Sequence, residues 1–226
     1  MIELGGAVSS LPDAKIQAFL KGFFYINPNG APRGEKMPET KTLYTIGHSN
    51  RKLEDFLALL QAHGVKQIVD VRSIPRSARN PQFKRENLAP ALAAAGIGYR
   101  HFPGLGGFRK PSKDSPNQGW RNAGFRGYAD YMLGSEFKAH LNRLLESLGA
   151  EKTALMCAEA MPWKCHRSLI SDALTARGFE VRHIMSPRSE IVHQLTQGAE
   201  PQGDNLFYRQ VLPKTEKESD QLKLEF

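Results

Sequence analysis

The chain predicts an α/β fold: a single domain with an open, mainly parallel five-stranded sheet flanked by helices, built from Rossmann-like βα repeats. Three observations carry that expectation. Short apolar runs of strand length alternate with stretches whose apolar residues recur at the helical period. Five such strand-then-helix units follow one another, and parallel neighbours require a crossover of this kind. Glycines stand where the helical stripes stop, as expected just past a helix C-terminus.

Residues 41–46 form the first strand, and Leu53, Phe56, Leu57 and Leu60 follow at i, i+3, i+4 and i+7 until Gly64 closes the helix. Residues 65–71 are the second strand. A loop punctuated by Pro75 and Pro81 leads into an Ala-rich helix marked by Leu88 and Leu92 and ended by Gly96. Residues 97–102 offer the third strand. Residues 128–148 offer a long helix with Leu141, Leu144, Leu145 and Leu148 apolar and an interruption at Gly134. The fourth strand is residues 153–157. Leu169, Ile170, Ala173 and Leu174 then make a helical stripe closed by Gly178, residues 179–185 read as the fifth strand, and residues 189–196 as a further helix.

The α/β domain thus spans residues 41–196. Residues 1–40 form an N-terminal appendage with a short helix candidate at 14–23, and Met37, just before the first strand, is an alternative initiator. Residues 197–226 are a polar tail that wraps or frays, with Leu206, Phe207 and Tyr208 as anchor candidates. Residues 102–127 break the rhythm with six glycines and Pro103, Pro111 and Pro116. A loop of that length inside a compact domain is usually functional or disordered.

Composition excludes several classes. An apolar fraction of 40% and a charged fraction of 24% describe an ordinary globular chain, and no apolar run approaches the ~20 residues of a membrane helix. No basic start followed by an apolar core and a cleavage site marks a secretory signal, so the cytosol is the expected compartment and the two cysteines are expected as thiols or ligands. The net charge of +8 is concentrated: between Arg72 and Arg126 stand eleven Lys and Arg against two acids. Phe83, Tyr99, Phe102, Phe108, Trp120 and Phe125 are interleaved with them, which suits a polyanion whose bases stack on rings, while a solvated basic face explains the charge equally well.

Residues 156–170 hold both cysteines beside a Glu, a His and an Arg. In open α/β sheets ligands bind at the carboxyl ends of strands, and here each end carries functional groups. His48 follows the first strand, Asp70 and Arg72 end the second, Cys157 and Glu159 end the fourth, and Cys165, His166 and Arg167 open a helix. A thiol at a helix N-terminus is stabilised as thiolate by the dipole and neighbouring cations, which singles out Cys165 as nucleophile or metal ligand, helped by His166. Cys157, closing a core strand, is explained as well by packing as by chemistry. Glu159 is a general acid/base candidate, with an ion pair to Arg72 or Arg167 as its structural explanation. Asp70 and Arg72 point to one side of their strand as an orienting pair, and His48 is a second proton carrier or ligand. A metal held by Cys157, Cys165 and a histidine, His48 or His166, fits the ligand chemistry, but a spacing of eight is not that of known zinc sites and is not favoured.

Several short motifs occur in order: Thr45-Ile-Gly-His-Ser49, Asp70-Val-Arg-Ser-Ile-Pro75, Leu105-Gly-Gly107, Tyr128-Ala-Asp-Tyr-Met132, Met156-Cys-Ala-Glu159 and Cys165-His-Arg167. Together they resemble the family known as domain of unknown function 488, over residues 41–187. The resemblance implies a compact bacterial-type α/β domain with a shared site around His48, Asp70, Arg72, Cys157, Glu159, Cys165 and His166. It implies no particular activity.

The basic, aromatic loop points to nucleic acid. The expectation is an enzyme that removes or modifies a damaged base, with Arg76, Arg79, Lys84, Arg85, Arg109 and Arg167 holding phosphates. The same groups would serve an enzyme acting on a small anionic substrate, or a non-catalytic nucleic-acid-binding module.

Overall fold

A computed structural model describes residues 41–209; the N-terminal appendage, its helix candidate, Met37 and the last part of the tail lie outside the described residues. Six strands form the main sheet: β1 (Thr42–Gly47), β2 (Gln67–Asp70), β3 (Gly98–His101), β4 (Thr153–Cys157), β5 (Glu180–Ser186) and β6 (Ser189–Val192). Their order is β3-β2-β4-β1-β5-β6. All neighbours are parallel except β5 and β6. Five α-helices cover the sheet: α1 (Leu53–Ala62), α2 (Arg85–Ala94), α3 (Ala123–Leu133), α4 (Ser135–Glu146) and α5 (Arg167–Thr175). Among the described residues no helix is long and apolar enough to cross a membrane.

The apolar stripes explain the two layers. Phe56, Leu59 and Leu60 of α1 and Leu88 and Leu92 of α2 pack with Ile46, Ile68 and Met156 in one core. Met132 of α3, Leu141 and Leu144 of α4, and Leu169 and Ile170 of α5 pack with Val69, Leu155 and Val181 in the other. Side chains of a strand alternate between faces, so Leu155 and Met156 enter different layers. The five residues of β4 are all buried, as expected for a strand covered on both faces.

The chain order differs from the sheet order in a way that matters for the site. β4 lies between β1 and β2, which are not neighbours. From β1 the chain leaves through α1 on one face, and from β4 through α5 on the other. Neighbouring strands whose connections depart to opposite faces open a crevice at their carboxyl ends, and β1 and β4 are such a pair.

Three expectations change. The helix expected over 189–196 is instead β6: the turn after β5 returns the chain onto its neighbour, pairing Ile184 with Glu190, and β-branched Ile191 and Val192 suit the strand. The sheet therefore has six strands, with an antiparallel edge. The long helix is interrupted at Gly134 as expected, where the backbone is extended (φ −76°, ψ 154°), but its first part, α3, starts earlier than expected, at Ala123, because the Asn122 side chain accepts from the Gly124 and Phe125 amides. Past residue 197 the chain forms a hairpin, β7 (Ala199–Gln202) with β8 (Asn205–Tyr208). Its Tyr208 is fully buried, donates its hydroxyl to Asp172, and gives its amide to Asn117.

Candidate functional site

The carboxyl ends of β1, β2 and β4 converge because the backbone is pressed together there. A Cβ on Gly47 would sit 1.7 Å from the Glu159 carbonyl oxygen, so only glycine lets β1 end against the segment after β4. The amides of His48 and Ser49 donate to the carbonyls of Cys157 and Ala158 at 3.0 and 2.9 Å, and Val71 donates to Met156 at 3.0 Å. Gly106 lies against the Ser73 backbone, where a Cβ would come within 2.6 Å of its nitrogen, and this closeness brings the long loop onto the end of β2.

Asp70 is fully buried, and its carboxylate accepts from Arg72 Nε at 2.8 Å, Arg72 Nη2 at 2.5 Å and the Tyr99 hydroxyl at 2.7 Å. The remaining Arg72 nitrogen, Nη1, donates to the Phe83 carbonyl at 2.9 Å and meets His48 Nε2 at 3.1 Å. His48 Nδ1 lies 2.8 Å from the Ser49 carbonyl, which can only accept, so Nδ1 carries the proton and Nε2 offers its lone pair to Arg72. The ring stacks on Phe83 with centroids 4.2 Å apart. Burial, with the Arg72 charge adding to it, lowers the His48 pKa to about 4. The imidazole is neutral.

The two cysteines are free thiols whose sulfurs lie 3.1 Å apart, both buried. His166 Nε2 donates to the Val71 carbonyl at 3.2 Å, leaving Nδ1 as a lone pair 3.4 Å from Cys165 Sγ. Burial, with Arg167 close by, lowers the His166 pKa to about 4. Cys165 is pushed up by its hydrogen bond to Cys157 and by burial. Burial opposes ionisation of Cys157 too, but the S–H of Cys165 and the Arg167 charge prevail and draw Cys157 down to about 7. The hydrogen bond from Cys165 to Cys157 thus biases the pair toward carrying its negative charge on Cys157.

Arg167 favours negative charge on the sulfur pair as a whole, its guanidinium acting on both thiols and its amide donating to Cys165 Sγ at 3.5 Å. Its side chain is almost entirely buried, and Nη2 donates to the backbone carbonyls of Glu159 and Ala160 at 3.3 and 3.1 Å. Its Nε and Nη1 find no hydrogen-bond partner, and among the described residues no carboxylate pairs with it. A buried cation without a carboxylate is costly unless another anion balances it, and a thiolate in the neighbouring sulfur pair would supply that anion.

A cleft of about 960 Å³ opens above these groups. His48, Arg72, Cys157, Cys165 and His166 line its depth, and Glu159 and Lys164, both exposed, line it nearer solvent. Its rim carries Arg76, Arg79, Ile74 and Phe108. Ile74 is 66% exposed and Phe108 98%, the latter with φ at +61°, a conformation unfavourable for an aromatic residue.

Of the residues singled out from the sequence, His48, Arg72, Cys157, Glu159, Cys165, His166, Arg76 and Arg79 meet on this lining, with Asp70 and Arg167 directly behind it. Lys84, Arg85 and Arg109 are not on it. Lys84 and Arg85 stand at the start of α2, and the Arg109 guanidinium lies over the Tyr131 ring at 3.8 Å while donating to the Gly104 carbonyl. Glu159 makes no ion pair with Arg72 or Arg167: Asp70 has taken Arg72, and Arg167 turns to the Glu159 backbone carbonyl instead. Among the described residues no cluster of three or more His, Cys, Asp or Glu side chains has the arrangement to hold a metal. His48 already commits both ring nitrogens and His166 commits Nε2, while the two thiols hydrogen-bond to each other.

Sequence reasoning placed Tyr99 and Phe83 among rings available to bases, whereas they are committed to Asp70 and His48. Tyr99 sits two residues before the end of β3, beside β2, and only the register that pairs Asp70 with His101 brings its hydroxyl to the carboxylate. Phe83, the last residue of a short 3-10 turn, stacks on His48 through tertiary placement alone. Lys164 was legible as a neighbouring cation, and its place on the cleft follows from the 3-10 turn Pro162–Lys164.

Fold and site together define a doubly wound α/β domain with a paired-thiol cleft at the switch point of its sheet. The chain belongs to the family described as Domain of unknown function DUF488, whose model matches residues 52–174. No curated protein and no solved structure matches it.

Proposed function

We propose that this protein is a thiol-dependent enzyme acting on nucleic acid, taking one modified or damaged base at a time into the cleft. The observation that carries the proposal is Phe108, an aromatic ring held 98% exposed on the cleft rim together with Arg76 and Arg79. Exposed rings stack on unpaired bases, and arginines without carboxylate partners hold the adjoining phosphates. An enzyme that does chemistry on a base takes it out of the stack into a pocket. Inside, Cys157 supplies the nucleophile with Cys165 as its hydrogen-bond donor, Glu159 moves protons at the solvent side, and the Asp70–Arg72 pair fixes His48 against the wall.

Binding to single-stranded and duplex oligonucleotides across a salt series tests it. Affinity that falls steeply with salt, by roughly 0.9 log units per log unit of salt for each duplex phosphate neutralised, supports the proposal, and Arg76→Ala with Arg79→Ala should lower that slope by about two contacts. Absence of binding at low salt overturns it. A second reading, an enzyme on a small anionic substrate, is favoured by one observation: with Lys84, Arg85 and Arg109 off the lining, the cleft offers Arg76, Arg79 and Lys164 as free cations, enough for a compact anion and short of a long phosphate track.

A further inference from the structure

We propose that Cys157 and Cys165 form a redox-active dithiol that exchanges with small disulfides bearing anionic groups, closing into a Cys157–Cys165 disulfide as the small disulfide is reduced. The proposal shares its sulfur pair and its rim arginines with the nucleic-acid reading but needs no nucleic acid to bind.

The geometry supplies each requirement. The sulfurs lie 3.1 Å apart, and a disulfide bond is about 2.05 Å long, so closure asks for an approach of only about 1 Å. Both cysteines line the cleft, so an incoming sulfur has a route to them despite their low exposure. The attacking atom is the thiolate; the buried Arg167 guanidinium, with no carboxylate to neutralise it, favours that form in the sulfur pair, and the Cys165 thiol donating to Cys157 Sγ at 3.1 Å directs it to Cys157. The second sulfur keeps its proton until needed, and the lone pair of His166 Nδ1, 3.4 Å away, is placed to receive it. Arg76, Arg79 and Lys164 face the same space without ion-pair partners among the described residues, so it attracts anions more than cations.

The exchange balances without any further reagent. The Cys157 thiolate attacks one sulfur of the small disulfide; its S–S bond breaks, one thiolate leaves, and a mixed disulfide forms on Cys157. Cys165 passes its proton to His166 Nδ1, and its sulfur attacks Cys157 Sγ. The second small thiolate leaves and takes up that proton from His166. Two electrons have passed from the protein sulfurs to the small disulfide, yielding one thiolate and one thiol.

The test uses the full chain with oxidised glutathione, an anionic disulfide, and with cystamine, a cationic one, at equal concentration and without nucleic acid. Free-thiol titration should show both cysteines lost together, and a non-reducing peptide map should join the 157 and 165 peptides. Cys165→Ser should instead accumulate a stable glutathione adduct on Cys157, and Cys157→Ser neither adduct nor bridge. Oxidised glutathione should react about tenfold faster than cystamine at low salt, with the advantage shrinking as salt screens it. Thiols that stay free in excess oxidised glutathione overturn the proposal, as does a map without the bridge. Equal rates with the two disulfides overturn the anionic substrate class. The wild-type map needs no variant, so the proposal stays falsifiable even if a serine variant folds poorly. Nucleic-acid binding with unreactive thiols would overturn this inference and leave the binding half of the nucleic-acid reading standing, whereas reactive thiols without nucleic-acid binding would overturn the nucleic-acid reading alone.

Discussion

Arg72 Nη1 and His48 Nε2 meet at 3.1 Å, and a guanidinium can only donate, so the imidazole faces that contact with a lone pair. Protonating Nε2 would set two cations against each other in a buried wall. His48 is thus a fixed acceptor, and the ion pair behind it is what fixes it.

Acid should destabilise the fold ahead of its carboxylates. His48 and His166 have folded pKa values near 4 against an ordinary 6.5, so between those values the unfolded chain binds more protons. Their contribution is complete above pH 6.5 and lost as pH falls toward 4, on the order of 3 kcal/mol for each histidine. Urea midpoints measured at pH 7.5 and 4.5 should fall accordingly, and His48→Asn should flatten the dependence. An unchanged wild-type midpoint would reject the argument.

Asp70→Asn removes the charge from a fully buried pair and leaves the Arg72 guanidinium uncompensated, at a cost of about 3–5 kcal/mol. Chemical denaturation measures the loss. A cost below about 1 kcal/mol would show that the pair contributes little.

Gly47→Ala places a methyl group on the Glu159 carbonyl, a backbone atom that cannot move aside alone. The expected destabilisation is about 3 kcal/mol or more. The amide hydrogen bonds from His48 and Ser49 should open with it, seen as faster hydrogen exchange at those two amides than within β1 itself.

Arg167→Met should raise the pH at which Cys157 becomes reactive. Burial disfavours the thiolate, and removing the guanidinium leaves the Cys165 hydrogen bond to oppose it without that charge. Iodoacetamide alkylation followed across pH should show its midpoint move up from about 7. A midpoint that stays put would mean that Cys165 alone holds the thiolate.

Phe108→Gly should leave the protein as stable or make it more so, since glycine tolerates φ +61° and the lost ring touches mainly solvent. Oligonucleotide affinity should drop by about 1–3 kcal/mol, the value of one stacked base. Thermal melting and a binding isotherm on the same sample separate the two effects.

Most of the sheet was legible in the sequence because β1, β2 and β4 lie in short apolar runs, and β5 carries Val181, Ile184 and Met185, next to helical stripes with glycine ends. The residues at strand ends were legible for the same reason: parallel strands share a carboxyl edge. What escaped depends on tertiary placement. Residues 189–196 have no turn signal stronger than Pro187, and only pairing with β5 makes Ser189–Val192 a strand. Arg109 looked like its neighbours Arg76 and Arg79, yet Tyr131 one helix away captures it. Cys165 attracted attention at a helix start, whereas its contact with the second sulfur makes it the donor and Cys157 the acceptor, and that contact is not written in spacing.

The place of β4 between β1 and β2 sets a boundary for handling this protein in pieces. The segment that the family model matches, residues 52–174, includes β2, β3 and β4 but neither β1 nor β5. Cut to those limits, the chain would keep one side of β4 paired and bare the other, a flat strand of five buried residues with its amides and carbonyls unsatisfied. Such an edge recruits a second copy of itself, so the fragment should precipitate or grow fibrils. A stretch that begins before Thr42 and runs through Tyr208 keeps that edge sealed.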